Sequence, residues 1–285
     1  MSVKQFSSWE DAVSWLIVQP DQQELVSACY FDRPALAAAQ RYHLSDEWEA
    51  VRGLLPTQAG TVLDVGAGMG IASYALAADG WQVTSLEPDP SNLVGAGAIR
   101  QLAHDTGLDI TVVEKWGESL PFDDSSFDII HARQVLHHAH DLGQFCAELH
   151  RVLKPGGRLI ATREHVISNP GQLPQFLAKH PLHDLYGGEN AFQRAVYEAC
   201  LKTAGFSILS VLGPWDSIIN FTPFNRYKLR ELFLARFGHW LGVRWFARLA
   251  FSEVGFQLSR RILAVTDRRP GRLYTFVAVK PGPGK

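Results

Sequence analysis

The chain is poor in cysteine and has no long apolar run. Its 285 residues include three cysteines, Cys29, Cys146 and Cys200, which lie far apart and form no C-x-x-C pair. This spacing argues against a disulfide framework and against a zinc ribbon, and it favours a reducing compartment. Because no run of about 18 apolar residues is present, we predict no membrane-spanning helix. The N-terminus lacks a basic segment followed by an apolar one, so we expect no secretory signal and a cytoplasmic protein.

Acidic residues are scarce in the last part of the chain. Of the 27 basic and 29 acidic residues, 13 basic and 3 acidic ones lie between Phe221 and Lys285. That part has a formal balance of +10, whereas residues 1–220 have a balance of −12. Much of this positive charge lies in segment 226–251, which has six Lys or Arg, seven aromatic residues and a single acid. The two parts are therefore predicted to have different tasks.

Short apolar runs alternate with helical patterns in the middle of the chain. Five runs are predicted to be strands: residues 61–65, 82–87, 109–115, 127–132 and 158–164. Helical patterns are present at residues 7–58, 71–80, 91–107, 142–153 and 191–205. Strands joined by single helices predict right-handed βαβ units and a parallel sheet. In such a sheet the ligand site lies beyond the carboxyl ends of the strands.

A glycine loop, Gly66-Ala67-Gly68-Met69-Gly70, follows the first strand and opens a helix. Glycine lets the backbone turn tightly and approach a ligand closely, because it has no Cβ. Glu87 ends the next strand, where a carboxylate can accept hydrogen bonds from both hydroxyls of a ribose. These features suit NAD as well as S-adenosylmethionine, and a tight turn without a ligand is the structural alternative.

Five motifs occur in a fixed order around this loop: VLDVGAGMG, SLEPD, GESLPFDDSSFDII, VLHHAHD and ELHRVLKPGGRLI. Over residues 60–165 the chain resembles the class I S-adenosylmethionine-dependent methyltransferases of the broad small-molecule type. A nicotinamide-dependent oxidoreductase is not expected to carry LPF…SFD followed by LKPGG. The resemblance implies an α/β, Rossmann-like fold with a seven-stranded, mostly parallel sheet. Its antiparallel last strand would be residues 272–280, with residues 207–213 as the hairpin partner.

The resemblance also implies contacts to S-adenosyl-L-methionine as the cofactor. Asp64 and the loop residues Gly66, Ala67 and Gly68 would face the amino acid part of the cofactor. Glu87 would hold the ribose hydroxyls. Ala132, just past the fourth predicted strand, would offer its backbone to the methionine moiety.

The adenine end departs from the family pattern. Where the family usually shows Gly-Asp-Ala after the third strand, this chain has Lys115-Trp116-Gly117. Gly117 can still present its N–H to adenine, and Glu118 could take the polar role. Trp116 cannot accept the amino hydrogen bond, so it either stacks on an adenine face or packs under the sheet edge.

Methyl transfer to a hydroxyl needs an aligned acceptor and a base that removes a proton. Histidine suits that task because its ordinary pKa is near neutrality. His165, after the fifth strand, and His183, in the loop of residues 180–192, are the predicted catalytic bases. The pair His137 and His138 is interpreted as structural.

A divalent metal is a further alternative in this region. Glu164, His165, His180 and His183 all carry groups that bind metals. Their spacing matches no metal-binding motif, so the sequence predicts no metal site.

Four regions are predicted along the chain. They are an N-terminal helical cap (1–58), a cofactor-binding core (59–220), a helical insertion over the acceptor (221–268) and the final strand of the core (269–285). Four interpretations of segment 226–251 remain: a cap with solvated arginines, a site for an anionic acceptor, a peripheral membrane contact, or binding of nucleic acid. Nucleic acid is the least favoured, because no nucleic-acid module accompanies the segment and the pI is about 6.6.

The sequence therefore predicts a methyltransferase that acts on a small-molecule or carrier- or lipid-linked acceptor, with oxygen as the favoured methyl acceptor. Two alternatives stay open. One is a catalytically inactive regulatory protein that binds S-adenosylmethionine, and the other is a nicotinamide-dependent oxidoreductase.

Overall fold

One mixed sheet organises the chain. A computed structural model describes residues 6–221, 228, 231 and 252–282. The strands are β1 (Thr61–Val65), β2 (Gln82–Leu86), β3 (Ile110–Val113), β4 (Phe127–Arg133), β5 (Leu153–Ile167), β6 (Phe192–Gln193), β7 (Ser207–Leu212) and β8 (Arg272–Val279). Their order is β3-β2-β1-β4-β5-β8-β7, with β6 beside β5. The first five strands, β1 to β5, run parallel to one another, whereas β8 is antiparallel to β5 and β7. The Rossmann-like prediction is confirmed, with the two-residue β6 as an eighth described strand.

Helices cover both faces of this sheet. They are α1 (Trp9–Ile17), α2 (Gln23–Ala28), α3 (Ala35–His43), α4 (Asp46–Arg52), α5 (Ile71–Ala78), α6 (Ala96–Thr106), α7 (Leu142–Val152), α8 (Leu173–Leu177), α9 (Pro181–Leu185), α10 (Arg194–Thr203), α11 (Ile218–Phe221) and α12 (Glu253–Thr266). Trp48 and Ile99 are fully buried in the core on one face, and Leu149 and Tyr197 are fully buried on the other. Because both faces are packed, a ligand site falls at the strand ends.

Three predicted element boundaries are wrong for identifiable reasons. Leu153 pairs with Phe127 across a bulge, so β5 begins there and α7 already ends at Val152. Phe192 pairs with Val166, which delays the start of α10 until Arg194. The third is α6, which starts later than its helical pattern predicts.

The residues before α6 form a tight turn instead of helix. A Cβ on Gly95 would lie 2.1 Å from the carbonyl oxygen of Asp89, so only glycine fits at this position. The Ser91 hydroxyl accepts the N–H of Val94 at 3.0 Å, which completes the turn. The backbone of Gly95 is extended, so the helix begins at Ala96.

The basic aromatic segment 226–251 lies outside the described residues, apart from Lys228 and Glu231. The ammonium of Lys228 is 3.2 Å from the Glu24 carboxylate on α2. The interpretations of this segment therefore remain predictions. Among the described residues, no helix combines the length and the apolar character needed to cross a membrane.

Candidate functional site

Two adjoining cavities lie at the carboxyl ends of β1, β2 and β4. The larger has a volume of about 520 Å³ and the smaller about 270 Å³. Trp9, Gly66, Gln134, His138 and Glu189 line both of them. The larger volume is within the range of about 300–1,000 Å³ common for small-molecule sites. The predicted site is therefore a two-part pocket, with Trp9 of the N-terminal helices in its wall.

Glu87 and Gly66, the first residue of the glycine loop, line the larger cavity, whereas the loop residues Ala67–Met69 line the smaller one. Gly66 has φ +60°, and a Cβ there would lie 2.6 Å from the Val135 side chain, so the turn requires glycine. The two carboxylate oxygens of Glu87 accept the backbone N–H groups of Gly68 at 2.7 Å and Asp89 at 3.0 Å. Burial raises the pKa of Glu87 to about 7. Each oxygen still has acceptor capacity for a ligand hydroxyl.

Asp64 anchors the loop from beneath and lines the smaller cavity. Its side chain is buried, with one oxygen 2.7 Å from Nδ1 of His131 and the other accepting the Ser73 hydroxyl at 2.6 Å. The Ser85 hydroxyl donates in turn to Ser73. This chain of contacts joins β1, β2, β4 and α5, so it fixes the position at which the loop meets a ligand.

The end of β4 differs from the sequence prediction. Ala132 is fully buried within the strand, because β4 continues to Arg133, so it does not follow the strand as predicted. Arg133, Gln134 and Val135 instead contribute to the cavity walls.

Arg133 ties the N-terminal helices to this wall. Its Nε donates to the fully buried Glu47 carboxylate of α4 at 2.8 Å, and its guanidinium lies 5.5 Å from the centre of the Tyr30 ring. Burial opposes the charge on Glu47, but Arg133 and Arg163 outweigh it and lower the pKa of Glu47. The ion pair therefore holds the N-terminal helices against the site.

Trp116, Gly117 and Glu118 lie together at the outer end of the larger cavity. Trp116 is 63 % exposed, so it lies at the mouth of the cavity rather than packed under the sheet edge. A Cβ on Gly117 would lie 2.2 Å from the Phe145 ring, which shows how closely the backbone approaches this wall. Glu118 accepts the backbone N–H of His140 at 2.9 Å. An exposed indole beside an apolar wall can stack on a planar ring.

Histidines and a carboxylate line the smaller cavity. His137, His138, His180 and Glu189 belong to its wall. His138 Nδ1 is 3.0 Å from the carbonyl oxygen of Gly188. Because a carbonyl can only accept, His138 donates from Nδ1 and keeps the lone pair of Nε2.

The two predicted bases take different places. His165 is buried, with its ring centre 4.7 Å from that of His137 and 5.2 Å from that of His180. His183 lies on α9, whose His180, Pro181 and Leu182 end forms the cavity wall. His165 and His183 are therefore next to residues that line the smaller cavity but do not line it themselves.

Buried charges are balanced within this histidine group. Burial opposes a charge on His137, but its contacts with Glu164 and Glu189 outweigh it and raise the pKa of His137 to about 9. Burial likewise opposes a charge on Glu189, yet the neighbouring His137 and His180 lower its pKa to about 2. Burial and the charge of His137 lower the pKa of His165 well below its ordinary value.

The sequence reasoning missed the grouping of His137, His138, His180 and Glu189. The Leu-His-His motif indicates only His137 and His138. The other half comes from residues more than 40 positions later, which the chain folds back over the cavity. Periodicity along the chain cannot reveal such a meeting of distant segments.

The pocket fits S-adenosylmethionine. Glu87 offers a buried acceptor for ribose hydroxyls, and the cramped Gly66 and Gly117 positions leave backbone at the cavity surface. Trp116 and Phe145 supply aromatic surface near Gly117. Asp64 and the histidine group lie in the adjoining cavity, where the reactive end of the cofactor would extend.

Comparisons with known proteins agree with this fit. Residues 63–161 match the family model of the methyltransferase domain. An uncharacterized methyltransferase of Mycobacterium avium is 40% identical over 124 residues, which are 43% of this chain and 46% of that protein. The matched segment thus spans less than half the length of this relative.

Solved structures match a larger share of this chain than the mycobacterial relative does. The [4+2]-cyclase SpnF has a TM-score of 0.56 and 23% identity, covering 87% of this chain and 82% of its own. The phosphoethanolamine N-methyltransferase 2 of Haemonchus contortus, solved with S-adenosylhomocysteine, has a TM-score of 0.55 and 19% identity, covering 97% of this chain and 61% of its own. At these identities the likeness shows the fold alone. Together with the site, the domain match identifies residues 63–161 as a methyltransferase domain of the class I S-adenosylmethionine-dependent type, whose cofactor is S-adenosylmethionine.

Proposed function

We propose that the protein transfers the methyl group of S-adenosylmethionine to an oxygen atom of a small or carrier-linked acceptor. The observation that carries this proposal is the junction of the two cavities. The larger cavity has the ribose acceptor Glu87, and the smaller one has imidazole and carboxylate groups in its wall. His138 belongs to both walls, so it stands where cofactor and acceptor would meet.

The cofactor supplies an activated methyl group, and the protein supplies alignment and proton transfer. Glu87 and the glycine loop would hold the cofactor, and Trp9, with the segment that includes Tyr186 and Gly188, would limit the entry of water. The Nε2 lone pair of His138 can accept the proton of an acceptor hydroxyl, because Nδ1 is committed to the Gly188 carbonyl. A base is required for an oxygen acceptor, whose proton must leave as the new bond forms.

The experiment that tests this proposal is transfer from S-adenosylmethionine with a labelled methyl group to a panel of hydroxyl-, amine- and carbon-acid acceptors. We expect label in hydroxyl acceptors with the wild-type protein and with His104→Gln, a control histidine that is 84 % exposed on α6. We expect His138→Gln to lose turnover while keeping its affinity for S-adenosylhomocysteine. Label only in amines or carbon acids would contradict O-methylation, and cofactor binding without any turnover would favour the regulatory alternative.

The C-terminal charge supports an anionic acceptor or carrier as part of the same proposal. The balance of +10 after Asn220 would attract a phosphate-bearing molecule or an anionic lipid surface. Flotation of the full chain with neutral and with anionic vesicles separates the two. Binding to anionic vesicles alone supports a lipid-linked acceptor, and no binding to either favours a free anionic molecule.

A further inference from the structure

Four side chains from separate segments converge beside the smaller cavity. His137 follows β4, His165 lies in β5, His180 precedes α9 and Glu189 precedes β6. One ligand-type atom from each of His137, His165 and Glu189 lies within 4.8 Å of the others. Nε2 of His137 is 3.7 Å from Oε2 of Glu189, and Nδ1 of His180 is 3.7 Å from Oε1 of the same carboxylate.

Several atoms of this group are buried and lack a hydrogen bond. Nε2 of His165, Nδ1 of His180 and Oε2 of Glu189 have no hydrogen-bond partner within the described ranges 6–221 and 252–282. The residue His165 is 7 % exposed and the side chain of Glu189 is 10 % exposed. Buried polar atoms are ordinarily paired, and each exception needs an explanation. Because the three side chains belong to one cluster, a single bound ion would satisfy all three atoms.

Hydrogen bonds to Nδ1 hold the imidazole rings of His137 and His165 in place. The Glu164 carboxylate lies 2.7 Å from Nδ1 of His137, and the Gly271 carbonyl lies 3.1 Å from Nδ1 of His165. Both partners accept, so each ring can present the Nε2 lone pair to the cluster. A histidine that binds a metal ordinarily donates its other N–H to a carboxylate or a carbonyl in this way.

Glu164 is itself held in place. Its carboxylate accepts the backbone N–H groups of Val135 at 3.1 Å, Leu136 at 3.1 Å and His137 at 3.0 Å. The side chain is fully buried, and it binds the segment that carries His137 to β5. Glu164 is therefore a positioning residue for His137, which explains why it cannot serve as a ligand at the same time.

We propose that His137, His165 and Glu189, with His180 as the fourth ligand, bind a divalent transition metal ion, with Zn²⁺ as the ion that their donor set fits best. Imidazole nitrogen and carboxylate oxygen are common ligands of Zn²⁺, with bonds of about 2.0–2.2 Å that separate tetrahedral ligands by roughly 3.4 Å. The ligand atoms of His137, His165 and Glu189 are at most 4.8 Å apart and need to close by about 1 Å. His180 approaches from the side of Glu189, with Nδ1 3.7 Å from Oε1. The Glu189 carboxylate and the His180 ring would supply most of this shift, because Glu164 and Gly271 hold the rings of His137 and His165.

The sequence predicts no metal here because the ligands share no motif. They come from four segments, and the candidate set Glu164, His165, His180 and His183 contains only two of them. The site borders the acceptor cavity, whose wall includes His137, His180 and Glu189, so a bound ion could also take an oxygen of an acceptor by expanding its coordination. The metal proposal does not depend on methyl transfer, and its test measures binding alone.

The test uses the full chain without an affinity tag, stripped with a chelator and titrated separately with Zn²⁺ and Co²⁺. Metal content after dialysis and the visible absorption of Co²⁺ are the readouts. We expect one ion per chain, a spectrum typical of nitrogen and oxygen ligands, and a higher Tm with Zn²⁺.

Variants of the cluster locate the ion. His165→Gln and Glu189→Gln should weaken Zn²⁺ binding by more than the roughly 10–100-fold expected for Glu164→Gln, which removes only a support of His137. His180→Gln, at the cavity wall, provides a second ligand variant if a buried one fails to fold. His104→Gln should bind as the wild type does. Absence of binding by the folded wild type, or equal affinity in all folded variants, would overturn the proposal and leave an ion-pair network of His137 with Glu164 and Glu189.

Discussion

Replacing Glu87 by alanine should weaken the binding of S-adenosylhomocysteine strongly. Each oxygen of Glu87 already accepts one backbone N–H, from Gly68 or Asp89, and has room for one ribose hydroxyl. A hydrogen bond to a charged group contributes about 1.5–3 kcal/mol, so the loss of two costs at least about 3 kcal/mol. Since 1.4 kcal/mol is tenfold, we expect Kd to rise by about 100-fold or more.

The same carboxylate gives cofactor binding a pH dependence. Burial raises the pKa of Glu87 to about 7, so the ligand-free protein takes up a proton as the pH falls through that value. Ribose hydroxyls that donate to the carboxylate favour its ionised form. Affinity should therefore be full above pH 7 and decline below it, approaching about tenfold per pH unit well below the pKa. Glutamine does not take up a proton in this range, so the affinity of Glu87→Gln should be independent of pH.

Calorimetric titration of wild type, Glu87→Ala, Glu87→Gln and Asp105→Asn across this pH range tests the reasoning. Asp105 is a partly exposed carboxylate on α6, away from the cavities, and its variant should match the wild type. An unchanged Kd in Glu87→Ala, or a wild-type affinity that is constant through pH 7, would refute the placement of the ribose at Glu87.

Three further outcomes are expected. His138→Gln should lower kcat by about 100-fold or more with an unchanged Kd for the cofactor, since general bases contribute at least that much; a parallel loss in both, measured by turnover and calorimetry, would indicate a structural role. Glu47→Gln should lower the free energy of unfolding by about 3–5 kcal/mol in urea titrations, because it leaves the Arg133 charge buried without its carboxylate, and a change near zero would contradict the ion pair. Gly117→Ala should cost about 1–3 kcal/mol of stability, because its Cβ would overlap the Phe145 ring, with Gly282→Ala, which meets nothing within 4 Å, as the control for thermal unfolding.

The core of the fold could be predicted because its signals are local. The run Thr61–Val65 and the final strand from Arg272 are apolar and bounded by turns, so pattern alone located them. Element boundaries failed where tertiary contacts decide. Leu153 joins the sheet through Phe127, and the extended backbone of Gly95 delays α6 until Ala96, neither of which is visible in the periodicity.

The candidate site was predictable only in part for the same reason. Glu87 and the glycine loop lie next to strand ends, so the motif alone located them at the two cavities. Ala132 lies inside β4, because the strand runs one residue further than predicted. Glu189 and His180 reach His137 only through the fold, so sequence reasoning chose His165 and His183 instead.

The most direct test of the central claim is a calorimetric titration of the full chain with S-adenosylmethionine, S-adenosylhomocysteine and NAD, compared between the wild type and Glu87→Ala. The account predicts saturable binding of the two methyl-cycle ligands at one site, a large loss of both in the variant, and no binding of NAD. Binding of NAD alone, or binding of S-adenosylmethionine that Glu87→Ala leaves intact, would contradict it.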